Sequence, residues 1–212
     1  MIIVITLGFD EKFALRAVSR RGLKDEDEVM VLVPKPIDER SERVFQNFKT
    51  ILEKAFQNPT VRRADIETRN FSKAITEIIE VFSKRVSEKF LINLSGGLRA
   101  LILETLLSAS ILNLNAEVEV ELEDSSTTIS FPLEWCHLPK LDQASLRILQ
   151  ALELEQLRLS DIVKLCKISK STAWRKLRRL CEKGILKIDQ KNVYSITPFG
   201  RIIKASIIKD VQ

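Results

Sequence analysis

The chain of 212 residues is 45% hydrophobic and 30% charged, a composition typical of a folded protein with a substantial core. No apolar run approaches the roughly 18 residues that cross a bilayer, and the N-terminus lacks the basic segment and cleavage site of a signal peptide. We therefore expect a cytoplasmic protein without a membrane partner. Its length suits two small domains, which we predict to cover residues 1–137 and 138–212.

The net charge of +5 conceals an asymmetry along the chain. From Lys140 to the end there are 16 Lys and Arg against 7 Asp and Glu, a net charge of +9. Residues 1–139 carry 18 against 22, a net charge of −4. A basic segment of this size predicts a polyanionic partner, although the charge alone does not separate nucleic acid from a membrane surface.

The first 112 residues alternate between strand and helix patterns. The predicted strands cover residues 2–6, 28–33, 60–67 and 90–94, and each is followed by a periodic helical segment. This alternation predicts an α/β, Rossmann-like domain with a mostly parallel sheet and helices on both faces. The fourth helix, residues 98–112, is apolar nearly all round, so we expect it to be buried.

Glutamates then alternate with apolar residues over positions 117–123, and a second short strand follows at 127–131. This pattern predicts an antiparallel hairpin at one edge of the sheet. The four glutamates suggest either a metal site or a solvated strand face that discourages edge pairing, and we favour the second interpretation. Three cysteines without a C-x-x-C pair and one histidine make a poor metal-ligand set, so we expect no metal and no cofactor.

Residues 133–140 resemble a linker, and the segment beyond it has the element order of a winged helix-turn-helix. A helix at 141–152 precedes a second helix capped by Ser160, a three-residue turn, and a third helix at 170–183 capped by Ser169. Two short strands at 185–189 and 192–196 form the wing, and a last helix begins at Pro198. We therefore predict an α+β winged helix-turn-helix domain.

The third helix of this domain divides into an apolar face and a basic face. Its basic, hydroxyl-rich face suits the major groove of DNA, where Arg reads guanine and Lys neutralises phosphate. We place Trp174 in the core, and a protein-binding surface remains an alternative use of the basic face. The predicted DNA-binding residues are Ser171, Thr172, Arg175, Lys176, Arg178, Arg179, Lys187, Lys191 and Asn192.

Two glycine-containing turns follow the first and fourth strands, at residues 6–10 and 93–99. In doubly wound sheets such turns meet at the point where ligands bind. Glycines allow a phosphate to approach the backbone, the following helix offers free N–H groups, and Arg99 adds a fixed charge. An anion site at these turns is our prediction, and a purely structural turn is the alternative.

Taken together, TLGFDEKFALRAV at residues 6–18, NLSGGLRALIL at 93–103 and the C-terminal winged helix resemble the archaeal CRISPR-associated regulators that join a CARF domain to a winged helix. CARF domains are CRISPR-associated Rossmann-like sensors. The resemblance implies a homodimer with one symmetric pocket, a cyclic oligoadenylate ligand, most often cyclic tetraadenylate, and control of CRISPR promoters through duplex DNA. Carried onto this chain, the pocket residues are Gly8, Phe9, Asp10, Ser95, Gly96, Gly97 and Arg99.

Two other function classes stay open beside this regulator. Some CARF domains slowly cleave their ligand, so a ring nuclease is one alternative, although neither turn carries a histidine or lysine as a general acid or base. A protein-binding scaffold is the other. A nicotinamide-dependent dehydrogenase is disfavoured, because residues 6–10 do not fit G-x-G-x-x-G. We expect the protein not to be an enzyme.

Overall fold

The computed structural model describes residues 1–153 and 155–207, which form two compact units, one of residues 1–137 and one that begins at Leu138. The first unit alternates strands and helices, and a short 3₁₀ helix (Leu133–Cys136) ends it. Its elements are β1 (Ile2–Thr6), α1 (Lys12–Arg21), β2 (Glu28–Pro34), α2 (Glu39–Ala55), β3 (Thr60–Ile66), α3 (Phe71–Ser83), β4 (Phe90–Asn93), α4 (Arg99–Ile111), β5 (Ala116–Glu121) and β6 (Thr128–Pro132).

The sheet of the first unit has the strand order β3-β2-β1-β4-β5-β6. All neighbouring strands run parallel except β6, which pairs antiparallel with β5 at the edge. The predicted α/β class and the edge hairpin are therefore confirmed. The chain leaves β1 toward one edge of the sheet and β4 toward the other, so a crevice opens between the carboxyl ends of these two strands.

Helices cover both faces of this sheet, because successive side chains of a strand point to opposite sides. Ile3 and Ile5 of β1 pack with buried residues of α1 and α2 on one face. Ile2 and Val4 pack with buried residues of α3 and α4 on the other. Both cores are built from aliphatic and phenylalanine side chains, and together they hold β1 and β4 at the centre of the sheet.

Helix α4 is not buried all round, and that prediction was wrong. Leu103, Leu107 and Ile111 are 59%, 41% and 53% exposed and lie along one side of the helix at i, i+4 and i+8. Its inward side is held by Leu101 and Ala109, which are fully buried. A sequence that is apolar all round contains no signal for which side faces the sheet, so one apolar stripe is left without a partner in the described chain.

The inward side of α4 instead carries three buried polar residues, Glu104, Thr105 and Ser108. The Thr105 hydroxyl donates to the Leu101 carbonyl over 2.6 Å and the Ser108 hydroxyl to the Glu104 carbonyl over 2.7 Å, so both are satisfied within the helix. Neither carboxylate oxygen of Glu104 has a hydrogen-bond partner among the described residues. Burial raises the pKa of this carboxyl above its ordinary value.

The acidic row of β5 is not a solvated strand face, which corrects the favoured interpretation. Glu119 and Glu121 are buried. The arginines of α1 lie over them: Arg16 and Arg20 pair with Glu121 at 2.6 and 2.5 Å, and Arg21 pairs with Glu119 at 3.1 Å. The alternation therefore marks one apolar face toward α4 and one charged face toward α1. Within the described residues, no cluster of three or more His, Cys, Asp or Glu could hold a metal ion.

The second unit has the predicted order of a winged helix-turn-helix. Its small antiparallel sheet has the order β7-β9-β8, and the two-residue strand β7 is too short to leave a periodic signal in the sequence. None of the helices in the described part of the chain is long and apolar enough to cross a membrane. The elements are α5 (Gln143–Ala151), β7 (Leu157–Arg158), α6 (Leu159–Cys166), α7 (Lys170–Glu182), β8 (Leu186–Ile188), β9 (Val193–Ile196) and α8 (Pro198–Ile207).

Helix α7 is positioned by signals close to it in the sequence. Ser169 caps it by accepting a hydrogen bond from the Thr172 backbone N–H over 3.2 Å, as predicted. The preceding turn is closed by Lys167 in the left-handed conformation, with φ of 51°. The predicted cap of α6 was wrong: the helix begins at Leu159, one residue before Ser160, and the Asp161 carboxylate accepts from the Arg158 backbone N–H over 3.3 Å.

Candidate functional site

The two predicted ligand loops meet at the crevice between β1 and β4. A Cβ atom on Gly8 would come within 2.9 Å of both Cα and N of Gly97, so the two loop backbones are in direct contact. Gly97 has a positive φ of 98°, and a Cβ there would lie 3.1 Å from the Thr6 Cβ. Any larger residue at either position would force the loops apart, which explains the two glycines physically.

Thr6 fixes the second loop and was missed at the sequence level. Its side chain is buried at the end of β1, and the hydroxyl donates to the Gly96 carbonyl over 2.5 Å. A Cβ on Gly96 would come to 3.2 Å from the Thr6 carbonyl oxygen, so this contact is also tight. The signal in the sequence was a hydroxyl residue that ends an otherwise apolar strand.

Ser95 and Asn93 connect the second loop to its neighbours. The Ser95 hydroxyl oxygen accepts from the Glu121 backbone N–H over 2.8 Å, and the Ser95 N–H donates to Asn93 Oδ1 over 3.3 Å. Asn93 is buried, and its Nδ2 has no hydrogen-bond partner among the described residues. A buried amide donor without a partner is costly, and a ligand in the crevice is one way to satisfy it.

Arg99 is the first residue of α4, and its exposed guanidinium has no ion-pair or hydrogen-bond partner in the described chain. The helix is preceded by Leu98, whose side chain has no acceptor for the first backbone N–H groups. Free N–H groups, the positive end of the helix dipole and an unpaired guanidinium therefore lie together beside the loop. This combination suits an anion such as a phosphate.

Phe9 and Asp10 form the outer part of the first loop. Phe9 is 44% exposed, and the Arg40 guanidinium lies 4.8 Å from the centre of its ring while donating to the Phe9 carbonyl over 3.4 Å. Asp10 instead accepts from the Lys12 backbone N–H over 2.8 Å, and its carboxylate also pairs with the Lys12 amine at 3.5 Å. The Asp10 carboxylate is thus already engaged at the start of α1.

The second candidate surface is the outer face of α7. Ser171, Arg175, Arg178 and Arg179 are exposed there. No described carboxylate pairs with Arg175 or Arg179, whereas Arg178 pairs with Glu182 at 2.8 Å. Two unpaired guanidinium groups one turn apart are the donors that suit base edges or phosphates.

Two other predicted DNA-binding residues of α7 are engaged within the unit. Thr172 receives a hydrogen bond from the Ser169 hydroxyl at 2.9 Å. Lys176 forms an ion pair with Asp142, the residue that caps α5, and only 17% of its side chain is exposed. The hydrogen bond from Lys176, helped by that from the Ser145 backbone, lowers the pKa of Asp142 to about 2.

Trp174 is not a core residue, and this prediction was wrong. Its side chain is 52% exposed, because Ala173, Leu177 and Leu180 already fill the buried face of α7. The Arg178 guanidinium lies 5.7 Å from the ring centre. The only large aromatic side chain of this helix therefore stands on its outer, basic surface.

The three predicted DNA-binding residues of the wing are exposed to solvent. Lys187 of β8 and Lys191 and Asn192 of the connecting turn are exposed. Asn192 has a positive φ of 58°, and the Asp189 carboxylate closes the turn by accepting from the Lys191 and Val193 backbone N–H groups at 2.8 and 2.9 Å. The turn chemistry thus holds the wing residues on the surface of the unit.

Similar proteins include one curated relative and two solved structures. The relative is the "CRISPR locus-related putative DNA-binding protein Csa3" of Saccharolobus solfataricus, 24% identical over 188 residues, which cover 86% of this chain and 78% of the relative. Can2 from Sulfobacillus thermosulfidooxidans, solved in complex with cyclic tetra-adenylate, matches 99% of this chain with 13% identity and a TM-score of 0.49. Protein VC1899 from Vibrio cholerae matches 100% of this chain with 15% identity and a TM-score of 0.47.

This chain spans 63% of the Can2 chain and 68% of VC1899, and at these TM-scores neither likeness carries weight for fold or ligand. The match to a protein family, by contrast, covers enough of the chain to assign it. Residues 1–132, more than half of the chain and nearly all of the first unit, match the Csa3 CRISPR-associated Rossmann-like domain. With its six-stranded Rossmann-like sheet, the chain belongs to this family of CRISPR-associated Rossmann-like, or CARF, proteins.

Proposed function

We propose that this protein is a ligand-responsive transcriptional regulator of CRISPR-Cas genes. Its first unit binds a cyclic oligoadenylate, most simply cyclic tetraadenylate, and its second unit binds duplex DNA. The observation that carries the sensor part is the direct contact of Gly8 with Gly97 at the crevice between β1 and β4. That contact brings both loops that the family resemblance assigns to the pocket into one place.

The chemistry of the loops supports a phosphate-containing ligand with polar bases. The α4 N-terminus and the Arg99 guanidinium are free to bind a phosphate oxygen. Asn93 Nδ2, which has no partner among the described residues, supplies a hydrogen-bond donor, and the exposed Phe9 ring supplies a stacking surface for nucleobases or ribose. In a symmetric pocket each of these protein groups occurs twice, which matches a cyclic ligand whose phosphates and bases repeat around the ring.

The exposed stripe of α4 supports a homodimer. Leu103, Leu107 and Ile111 form an apolar row that begins one turn after Arg99. In a two-fold dimer this row would pack against the same row of α4 in the second subunit, since a two-fold interface uses the same patch on both subunits. Such a dimer would also bring two copies of Arg99 toward one symmetric ligand.

The DNA-binding part rests on the basic outer face of α7. Arg175 and Arg179 have no carboxylate partner in the described chain, and the segment from Lys140 to the end carries a net charge of +9. A winged helix places this helix in the major groove and its wing beside it. The relative from Saccharolobus solfataricus carries the name "putative DNA-binding protein", which agrees with this assignment.

Calorimetric titration of the full chain with cyclic tetraadenylate tests the proposal. We expect binding of one ring per two chains. Arg99→Ala should weaken it by two or more orders of magnitude, since each lost charged hydrogen bond costs about 1.5–3 kcal/mol and the dimer loses two. Arg43→Ala is the matched control, because Arg43 is exposed on α2 and should leave the affinity unchanged.

Three results would contradict the proposal at different points. Absence of heat with every cyclic adenylate would refute the sensor function. A ratio of one ring per chain would refute a pocket shared by two subunits. Unchanged affinity of Arg99→Ala would leave the ligand in place and show that the phosphate lies elsewhere.

A further inference from the structure

An exposed indole stands in the middle of the basic surface of α7. Trp174 is 52% exposed, Ser171 and Arg178 lie on the same side of the helix, and Arg175 is exposed beside it. Its neighbour Arg178 covers part of the ring, with 5.7 Å between the guanidinium and the ring centre. Leaving so much of a large apolar ring in water is unfavourable, so the ring is available to an outside partner that buries it.

Trp174 lines an apolar groove with cationic edges. The groove has a volume of about 800 Å³. A second groove of about 490 Å³ shares Leu159 and Lys170 with it and extends to Asn192 on the wing. Trp174 and Leu159 are the two apolar residues that line the first groove. The residues that line it are Leu159, Lys170, Ser171, Thr172, Trp174 and Arg175.

The charge around these grooves selects the kind of occupant. Lys170 and Arg175 have no carboxylate partner among the described residues, and Arg158 and Lys164 line the second groove. An apolar surface edged by unpaired cations fits a polyanion that also presents a small apolar group. Duplex DNA is such a partner, because the C5 methyl of thymine is the one apolar group that base edges offer in the major groove.

We propose that Trp174 contacts thymine methyl groups of duplex DNA, which makes it a residue that determines sequence preference. The inference rests on the DNA binding proposed above and adds to it the base that the apolar part of the surface selects. Arg175 and Lys170 hold the neighbouring backbone or guanine edges, and the indole excludes water from the methyl group. Sites bound by this protein are therefore expected to contain thymines at fixed positions.

The experiment compares thymine with uracil, which lacks only the methyl group. Duplexes of about 30 base pairs, a length that spans two half-sites one helical turn apart, are enriched from a random pool by the full chain. They are then resynthesised with deoxyuridine at every thymidine. We expect the affinity of the wild-type protein to fall by about fourfold for each methyl group that was buried. Trp174→Ala should bind both duplexes equally, and Trp174→Phe should keep part of the difference.

Leu165→Ala is the matched control, since Leu165 is an equally exposed apolar residue of α6 that does not line either groove. It should keep the full preference for thymine. If the wild-type protein binds both duplexes alike, or if Trp174→Ala keeps the preference, the thymine contact is refuted while DNA binding stands. Tighter binding of single strands than of duplexes, lost in Trp174→Ala, would assign the ring to base stacking instead. If no duplex is bound at all, the proposed DNA binding fails and the thymine contact with it.

Discussion

Helices α1 and α7 are both rich in arginine, yet their arginines do opposite things. On α1, Arg16 and Arg20 reach the buried carboxylate of Glu121, and each is paired at 2.6 Å or less. On α7, Arg175 and Arg179 are exposed and no described carboxylate pairs with them. The first helix uses its charge to pack on the sheet, and the second keeps its charge for a partner outside the chain.

A basic helix therefore indicates a polyanionic partner only where the fold supplies no acids of its own. Strand β5 supplies them to α1 through glutamates spaced by two residues, which all face the same helix. Burial alone would raise the pKa of Glu121, but the hydrogen bond from Arg20 and the charges of Arg16 and Arg20 lower it below its ordinary value. The net charge of the whole chain contains none of this information.

The largest expected effect separates the two helices by function. Arg175→Ala and Arg179→Ala should each weaken duplex DNA binding by about 1–3 kcal/mol if they contact bases, and should leave the free energy of unfolding unchanged because both side chains are exposed. Arg20→Ala should lower the free energy of unfolding, because it removes a partner of Glu121, and should leave DNA binding unchanged, because α1 belongs to the first unit. Gel shifts at fixed salt and urea unfolding of the same variants measure the two quantities.

Arg147→Ala serves as the control for charge alone, because Arg147 is exposed on α5 and carries the same charge outside α7. It should change DNA affinity only slightly. If Arg20→Ala weakens DNA binding as much as Arg175→Ala does, the two helices do not differ in function. The same conclusion follows if both α7 variants bind DNA like the wild-type protein.

A smaller effect tests the buried pairs under α1. Glu121→Gln should lower the free energy of unfolding at neutral pH by about 1–3 kcal/mol, less than a fully buried pair would cost because Arg16 and Arg20 remain partly hydrated. The folded pKa of Glu121 is lowered, so its contribution is present above the unfolded pKa of about 4.3 and is lost as the pH falls through the folded value.

Urea unfolding at several pH values between neutral and acid measures this difference. The gap between wild type and Glu121→Gln should close in acid. Glu123→Gln is the matched control, because Glu123 follows the same strand but is exposed, and it should show no gap at any pH. A gap that persists unchanged in acid would mean that packing of the side chain, and not its charge, stabilises the sheet.

The elements of both units, apart from the two-residue strand β7 and the short 3₁₀ helix, were predictable because each leaves a local periodic signal. What the sequence could not show is which side of an element meets a partner. Apolar residues occur on every side of helix α4, so nothing in its sequence distinguished buried Leu101 from exposed Leu103. Trp174 was assigned to the core, but three smaller residues already occupy that face of α7.

The candidate ligand site shows the same limit. The glycines and Arg99 were predictable, because a loop at the end of a parallel strand that leads into a helix has a known use. Thr6 and Asn93 were not, although Thr6 holds the Gly96 carbonyl and Asn93 has a buried donor without a partner in the described chain. Their roles depend on which groups of another strand or loop face them, and only the folded structure brings those groups together.

The smallest expected effect lies within α7 itself, where Lys176 behaves like an arginine of α1. Its amine pairs with Asp142 and only 17% of its side chain is exposed. Lys176→Met should therefore lower the free energy of unfolding by about 0.5–1 kcal/mol, because Asp142 is still half exposed to water, and should weaken DNA binding much less than Arg175→Ala. Lys170→Met, on the same helix but without a partner in the described chain, should leave stability unchanged.

The contribution of the ion pair between Lys176 and Asp142 to stability depends on pH. The pKa of Asp142 is about 2 in the folded protein and about 3.9 in an unfolded chain. The stabilisation by Lys176 is therefore present above pH 4 and is lost as the pH falls through about 2, so wild type and Lys176→Met should converge toward that pH. Urea unfolding at pH 7 and pH 2.5 measures this convergence, and gel shifts measure the DNA affinity. A loss of DNA affinity as large as that of Arg175→Ala would show that Lys176 leaves Asp142 for phosphate, and the division of α7 into paired and free charges would then be wrong.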